Sequence, residues 1–177
     1  IVASIETLMP HEKWIMSRFS YLTDSLTQWM EKYEFSSKWQ ELVSFIRDEF
    51  ADFAVEEYKL TKETSIYGKD VMAYGIITLL KLLHPYAPLI TEEIYNRLTG
   101  WKHLMISSWP EILFKRDEQI EKDMTHLYEV IREVRNIRAV KGVKPGVLVD
   151  TIVIAGKKSR IIIESNEQVF KWLAKIG

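Results

Sequence analysis

The sequence predicts a mainly α fold, an antiparallel helical bundle closed by a small C-terminal ββα unit. Three features of its 177 residues predict this. Large apolar residues recur every three or four positions in several long stretches. An almost wholly apolar segment is cut off by the two prolines of HPYAPLITEEIY, residues 84 to 95. Beyond residue 147 the period changes to paired β-branched runs.

Between residues 11 and 33, Ile15, Phe19, Leu22, Leu26, Trp29 and Tyr33 fall on one stripe of a helix. Ser37 to Gln40 fits a capping box that opens a second helix. There Trp39, Leu42, Val43, Ile46, Phe50 and Phe53 form the buried stripe, and Asp48, Asp52 and Glu56 lie opposite. Glu57 projects near Trp39 on the apolar face, so it is either past the well-packed part or paired with a base. From Asp70 to Leu83 nearly every position is apolar or small, which calls for packing on all sides. Pro85 crowds the preceding residue out of helical geometry, so that helix ends by His84. Pro88 fixes the exit of a tight corner, a further helix begins at Thr91 or its neighbours, and Glu92 and Glu93 sit in its first turn. Ile90, Ile94 and Leu98 are expected to face the core, and Gly100 closes the helix.

WKHLMISSWP, 101 to 110, reads as an irregular crossing with two large rings to bury. A long helix from about Asp117 to Ala139 follows, with Leu127, Val130, Ile131, Val134 and Ile137 on its stripe. Val149 with Ile152 to Ile154, and Ile161 to Ile163, flank AGKKS as a hairpin-like pair. Ser165 and Gln168 form another capping box before a short helix with Val169, Phe170, Trp172 and Leu173. The expected division is a bundle over 1–147 and an appendage over 148–177, with KGVKPGV, residues 141 to 147, as the hinge.

Composition excludes several classes. With 47% hydrophobic residues, six Trp, eight Tyr and seven Phe, the chain is no disordered segment. No stretch approaches the roughly 18 uncharged apolar residues of a membrane span. Zero cysteines exclude a disulfide framework and thiolate chemistry, and make the cytoplasm the default compartment. IVASIETLMPHEKW has neither signal-peptide character nor an initiator Met, so the chain reads as a piece of something longer. The histidines at 11, 84, 103 and 126 show no metal-ligand spacing, there is no Gly-rich phosphate loop, and Ser107 and Ser108 lack a nucleophile elbow. Catalysis by this chain alone is not expected, and no catalytic or metal-binding residue is assigned.

Charge is segregated along the chain. Arg132, Arg135, Arg138, Lys141 and Lys144 against Glu133 give the 132–146 segment a net +4, whereas 41–57 carries −5. Arg138 stands within the apolar stripe, where a guanidinium needs a carboxylate, a phosphate or an exit at the helix end. A salt bridge to Glu57 and a phosphate contact both meet that need.

KWIMSRF (13 to 19), FADFAVEEYK (50 to 59), HPYAPLITEEIY, SSWP (107 to 110) and VIREVRNIRAVKGVKPG (130 to 146) follow one another in this order. Together they resemble the anticodon-binding domain of class I aminoacyl-tRNA synthetases of the valine, isoleucine and leucine group, over essentially the whole chain. The acidic-then-lysine end of FADFAVEEYK and the RNIRAVKGVKP stretch are most similar to the valine enzyme, with the isoleucine enzyme as the alternative. Phe53 and Ala54 depart from the Trp-Tyr usual in the family. A helix that precedes Lys13 in such enzymes is missing.

The resemblance implies a monomeric cytoplasmic parent that charges tRNA with valine using ATP and Mg. Its catalytic and editing domains would lie outside this chain, which itself would hold no cofactor. The expected partner is the anticodon stem-loop of a tRNA, its phosphates met by Arg132, Arg135, Lys141 and Lys144, with Arg138 as the orienting residue and Lys59 and Lys62 next. A helical protein-interaction scaffold, its acidic second helix meeting a basic partner, is the alternative from another class.

Overall fold

The structure is a computed structural model that describes residues 7–34, 36, 38–144 and 146–177. Its helices are α1 (Pro10–Glu31), α2, α3 (Gly68–Leu83), α4 (Pro88–Thr99), α5 (Glu118–Val140), α6 (Lys157–Ser165) and α7 (Glu167–Ala174). α2 runs without a break through Trp39–Ser44, Phe45–Ala54 and Val55–Thr61. The capping box expected at Ser37 lies outside the described residues.

α1 is the central post, packed by α2, α3 and α5. Pro at its first position suits a site whose N–H has no helical partner, and the Glu12 carboxylate accepts the Met9 N–H at 2.9 Å. Trp14, Ile15, Phe19, Leu22 and Leu26 are buried along it. The stripe stops there: Tyr33 lies past the helix end in the left-handed region, φ 59°, and is exposed. Three links tie α1 to α5 and the segment before it: the Ser17 hydroxyl donates to Glu121 (2.6 Å) and accepts the Asp117 N–H (2.8 Å), and the Ser20 hydroxyl donates to the Phe114 carbonyl (2.6 Å).

The middle of α2 departs from the expected register. Phe45–Ala54 is π-helical, with the Val55 N–H reaching back five residues to the Phe50 carbonyl. The wider turn brings Phe45, Phe50, Phe53 and Ala54 to the core, while Ile46 is only partly buried and Trp39 rests on Tyr86 with ring centroids 5.0 Å apart. A period of 3.6 misses Phe45 for this reason.

At the corner, His84 Nδ1 lies 2.8 Å from the Thr91 hydroxyl, which itself donates to the Ala87 carbonyl at 2.9 Å. α4 starts at Pro88, a turn earlier than expected, so Glu92 is free to hold the following loop through the Met105 N–H (3.0 Å) and His103 (3.1 Å). The expectation that Ile90, Ile94 and Leu98 face the core is overturned. All three are exposed, and Thr91 and Asn96 are the buried residues of α4.

The ββα unit is corrected as well. Ile161 to Ile163 lie in α6, and the described strand pairing there is a single parallel bridge between Val149 and Ile176. Ile162 is buried against the core, Arg160 and Glu164 pair at 2.7 Å on the outer face, and His126 of α5 meets Ser159 at 2.8 Å. Tertiary contact thus overrides the weak strand preference of three isoleucines. Ser165 does not cap α7; its hydroxyl donates back to Ile161, and Asn166 stands before the helix. Val169, Phe170 and Leu173 join the same buried cluster as α1, α2 and α5.

Gly75, inside α3, lies close against the rings of Phe19 and Phe50. A Cβ there would stand 2.8 Å from Phe19 Cε2 and 3.1 Å from Phe50 Cε2. In an exposed helix Gly→Ala stabilises by about 1 kcal/mol, but overpacking a core costs roughly 1–3 kcal/mol. Gly75→Ala is therefore expected to lower the thermal midpoint, and a raised midpoint would contradict this packing.

Candidate nucleic-acid interface

α5 buries Met124, Leu127, Tyr128 and Ile131, with Tyr128 edge-on to Trp14 (4.7 Å) and stacked on Phe53 (4.0 Å). This seam sets the rotation of the helix and hence the direction of its last turns, which carry Arg132, Arg135 and Arg138. Arg132 lies over the Phe53 ring at 4.8 Å and donates to the Asp48 carbonyl at 3.0 Å. Arg135 donates to the Leu173 carbonyl (2.9 Å) and to Asp52 (2.8 Å), and also lies over Phe53, at 5.6 Å. The acidic face of α2 and the end of α7 therefore engage two of the expected phosphate contacts, and Phe53 is covered by their guanidiniums.

Arg138 is only 9% exposed and is not paired with Glu57. Its two terminal nitrogens donate to the Lys175 carbonyl (2.8 Å) and the Val147 carbonyl (2.6 Å). One charged group thus ties the end of α5, the return of the 141–147 loop and the end of α7. The loop begins with a left-handed Gly142, φ 70°, whose N–H bonds the Ala139 carbonyl while the Val143 N–H bonds that of Arg138, both at 3.0 Å. Lys141 and Lys144 sit on this braced turn, exposed and without an ion pair among the described residues. Lys59 and Lys62 stand apart at the end of α2, near Glu56 (2.5 Å) and Glu63 (4.0 Å). The seven residues do not form one ridge: three are braces, two form an outward pair, and two are locally partnered lysines.

The buried acid is the feature the sequence left open. Glu57 is 0% exposed and accepts a 2.8 Å hydrogen bond from the Tyr128 hydroxyl. Its partner is thus a phenol and not a base. Burial pushes its carboxyl up to about 8, with the Tyr128 bond opposing, so it is a neutral acid near pH 7. Burial and the Glu57 charge push the Tyr128 hydroxyl well up in turn. Next to them His11, 3.3 Å from Thr61, is pushed down to about 4 by burial, against the pull of Glu12. Tyr128 stands outside the aliphatic stripe of α5, but its place beside Leu127 and one turn before Ile131 puts it on the same face. No cluster of metal-ligating side chains occurs among the described residues, and no helix is long and apolar enough to cross a membrane.

Residues 12–153, from α1 through the loop after α5, match the sequence model of the anticodon-binding domain of tRNA ligases. The chain belongs to that family. It is 37% identical over 162 residues to the valine–tRNA ligase of Clostridium perfringens, covering 84% of this chain and 18% of that protein. With the valine–tRNA ligase of Carboxydothermus hydrogenoformans it shares 37% identity over 179 residues, covering 95% and 19% respectively. The Listeria innocua valine–tRNA ligase is 38% identical over 139 residues, 72% of this chain and 15% of that protein. The chain thus spans less than a fifth of the length of the curated relatives it matches. α6 and α7 lie beyond the family match, though Arg135 takes one of its two acceptors from α7 and Arg138 one of its two from the residue that follows it.

The Glu57 site gives a pH signature. Between the ordinary carboxyl value of 4.5 and about 8, the folded chain keeps a proton that the unfolded chain releases, so this stabilisation is full below 4.5 and is lost as pH rises through 8. His11 acts oppositely: its neutral ring favours folding above 6.5, and the benefit is lost as pH falls through about 4. The Glu57 loss therefore stands alone between pH 6.5 and 8. There the wild-type urea midpoint is expected to fall, by at most about 1.4 kcal/mol per pH unit in stability. Glu57→Gln should hold level over the same interval, and parallel curves for the two proteins would contradict the assignment.

Proposed function

We propose that this chain is the part of a valine–tRNA ligase that holds the anticodon stem and loop of its tRNA, while the rest of the ligase attaches valine to the distant acceptor end using ATP and Mg. The observation that carries the reading is the match of α1 to α5 to the anticodon-binding family, ending on a braced turn that presents Lys141 and Lys144 to solvent. A phosphate backbone is recognised by such cations, and a rigid mount reduces the entropy lost on binding. Arg138 orients this turn through the Val147 carbonyl, and Arg132, at the exposed edge, is the arginine best placed to add a contact. The intact ligase acts as a cytoplasmic monomer in this reading.

The scaffold alternative required a displayed acidic helix. On α2, Glu49 binds Arg18 at 2.6 Å, Asp52 binds Arg135 at 2.8 Å and Asp48 binds Arg47 at 2.7 Å. These ion pairs engage the acidic pole within the molecule, so the observations favour RNA over a basic protein partner.

Salt titration of tRNA binding tests the proposal. Lys141→Ala with Lys144→Ala is expected to weaken binding to all tRNA species similarly and to reduce the slope of log affinity against log salt by about two. Lys59→Ala with Lys62→Ala should change the slope less. An unchanged slope in the first variant would remove this turn from the interface, and equal affinity for valine and isoleucine tRNAs would remove the valine assignment.

A further inference from the structure

α4 carries its polarity inside out. Thr91 and Asn96 are buried, whereas Ile90, Ile94 and Leu98 are 57%, 38% and 57% exposed. Their spacing of four places all three on one stripe, the arrangement that ordinarily faces a core. Leu89 at the start of the helix and Trp101 just past its end are more exposed still. The loop after α4 does not cover the stripe, because Glu92 draws His103 and Met105 to another side of the helix. Along the stripe's other flank Arg97 and Glu93 pair with each other at 2.7 Å and leave the isoleucines open. A contiguous apolar stripe of this kind marks an interaction surface.

The length of the relatives decides between occupants. The valine–tRNA ligases matched here are more than five times as long as the part this chain aligns with, so their matching region is always tethered to several hundred further residues. A tethered surface is presented at an effective concentration of order millimolar, which outcompetes a second copy at ordinary protein concentrations. We infer that the Ile90, Ile94 and Leu98 stripe is the seat for an apolar surface of the remaining ligase polypeptide, an inference that rests on reading this chain as part of a valine–tRNA ligase. The contact fixes the angle between the anticodon-holding bundle and the rest of the enzyme. It lies on α4, whereas the RNA-binding turn ends α5, so the two can be lost separately.

Hydroxyl-radical footprinting of the 177-residue chain and of the full-length product of its gene tests the seat. Ile90, Ile94, Leu98 and Trp101 are expected to be oxidised in the short chain and protected several-fold in the full-length protein. Ile94→Lys with Leu98→Lys should abolish that protection and lower full-length aminoacylation at least tenfold, while tRNA binding by the 177-residue chain stays unchanged. Equal oxidation in both proteins overturns the inference, as does a gene that encodes nothing beyond these residues. Concentration-dependent dimerisation of the short chain that Ile94→Lys abolishes assigns the stripe to a second copy and also overturns it. Loss of tRNA binding in the Lys141 and Lys144 variant bears only on the proposed function, so the two failures are distinguishable.

Discussion

A guanidinium cannot be dried without acceptors, and Arg138 is where this chain meets that constraint. The apolar seam of α5 carries residue 138 inward, and the charge is tolerated because two backbone carbonyls, of Val147 and Lys175, point at it. Those carbonyls belong to two separate segments, which also meet at the Val149–Ile176 bridge. The helix end, the following loop and α7 are consequently held as one piece, and the two lysines that remain outward are outward because of it. Arg135 repeats the device with Leu173 and Asp52, so the far end of α5 is fastened on two sides by charge-assisted bonds in place of apolar burial.

Much of the fold was legible because α1 and α5 follow a 3.6-residue period, α3 is apolar on nearly every position, and the prolines at 85 and 88 leave the chain little choice at the corner. What failed did so for identifiable reasons. The π-helical middle of α2 shifts the register by wider turns, which no fixed period anticipates. Ile161 to Ile163 carry a strand preference, yet Ile162 finds a buried seat beside α5 and helix wins. α4 misled most, since its apolar stripe is real but faces away from this chain's own core.

The site was half legible. Charge counting located the basic segment, and the family motifs agree with the measured similarity to valine–tRNA ligases. Counting could not say which cations are already engaged, because that depends on Asp48, Asp52 and Phe53 arriving from α2 and on carbonyls from α7. Glu57 illustrates the same limit: its place on the apolar face was correctly read, but its partner, Tyr128, comes from across the bundle.

The most direct measurement is an amide chemical-shift map of the isotope-labelled chain titrated with an RNA hairpin representing the anticodon stem and loop. The account predicts the largest shifts at residues 139–147, while the Arg138 side-chain Nε–H, fixed inside the clamp, stays in place. Shifts confined to other helices, with 139–147 unmoved, would contradict it.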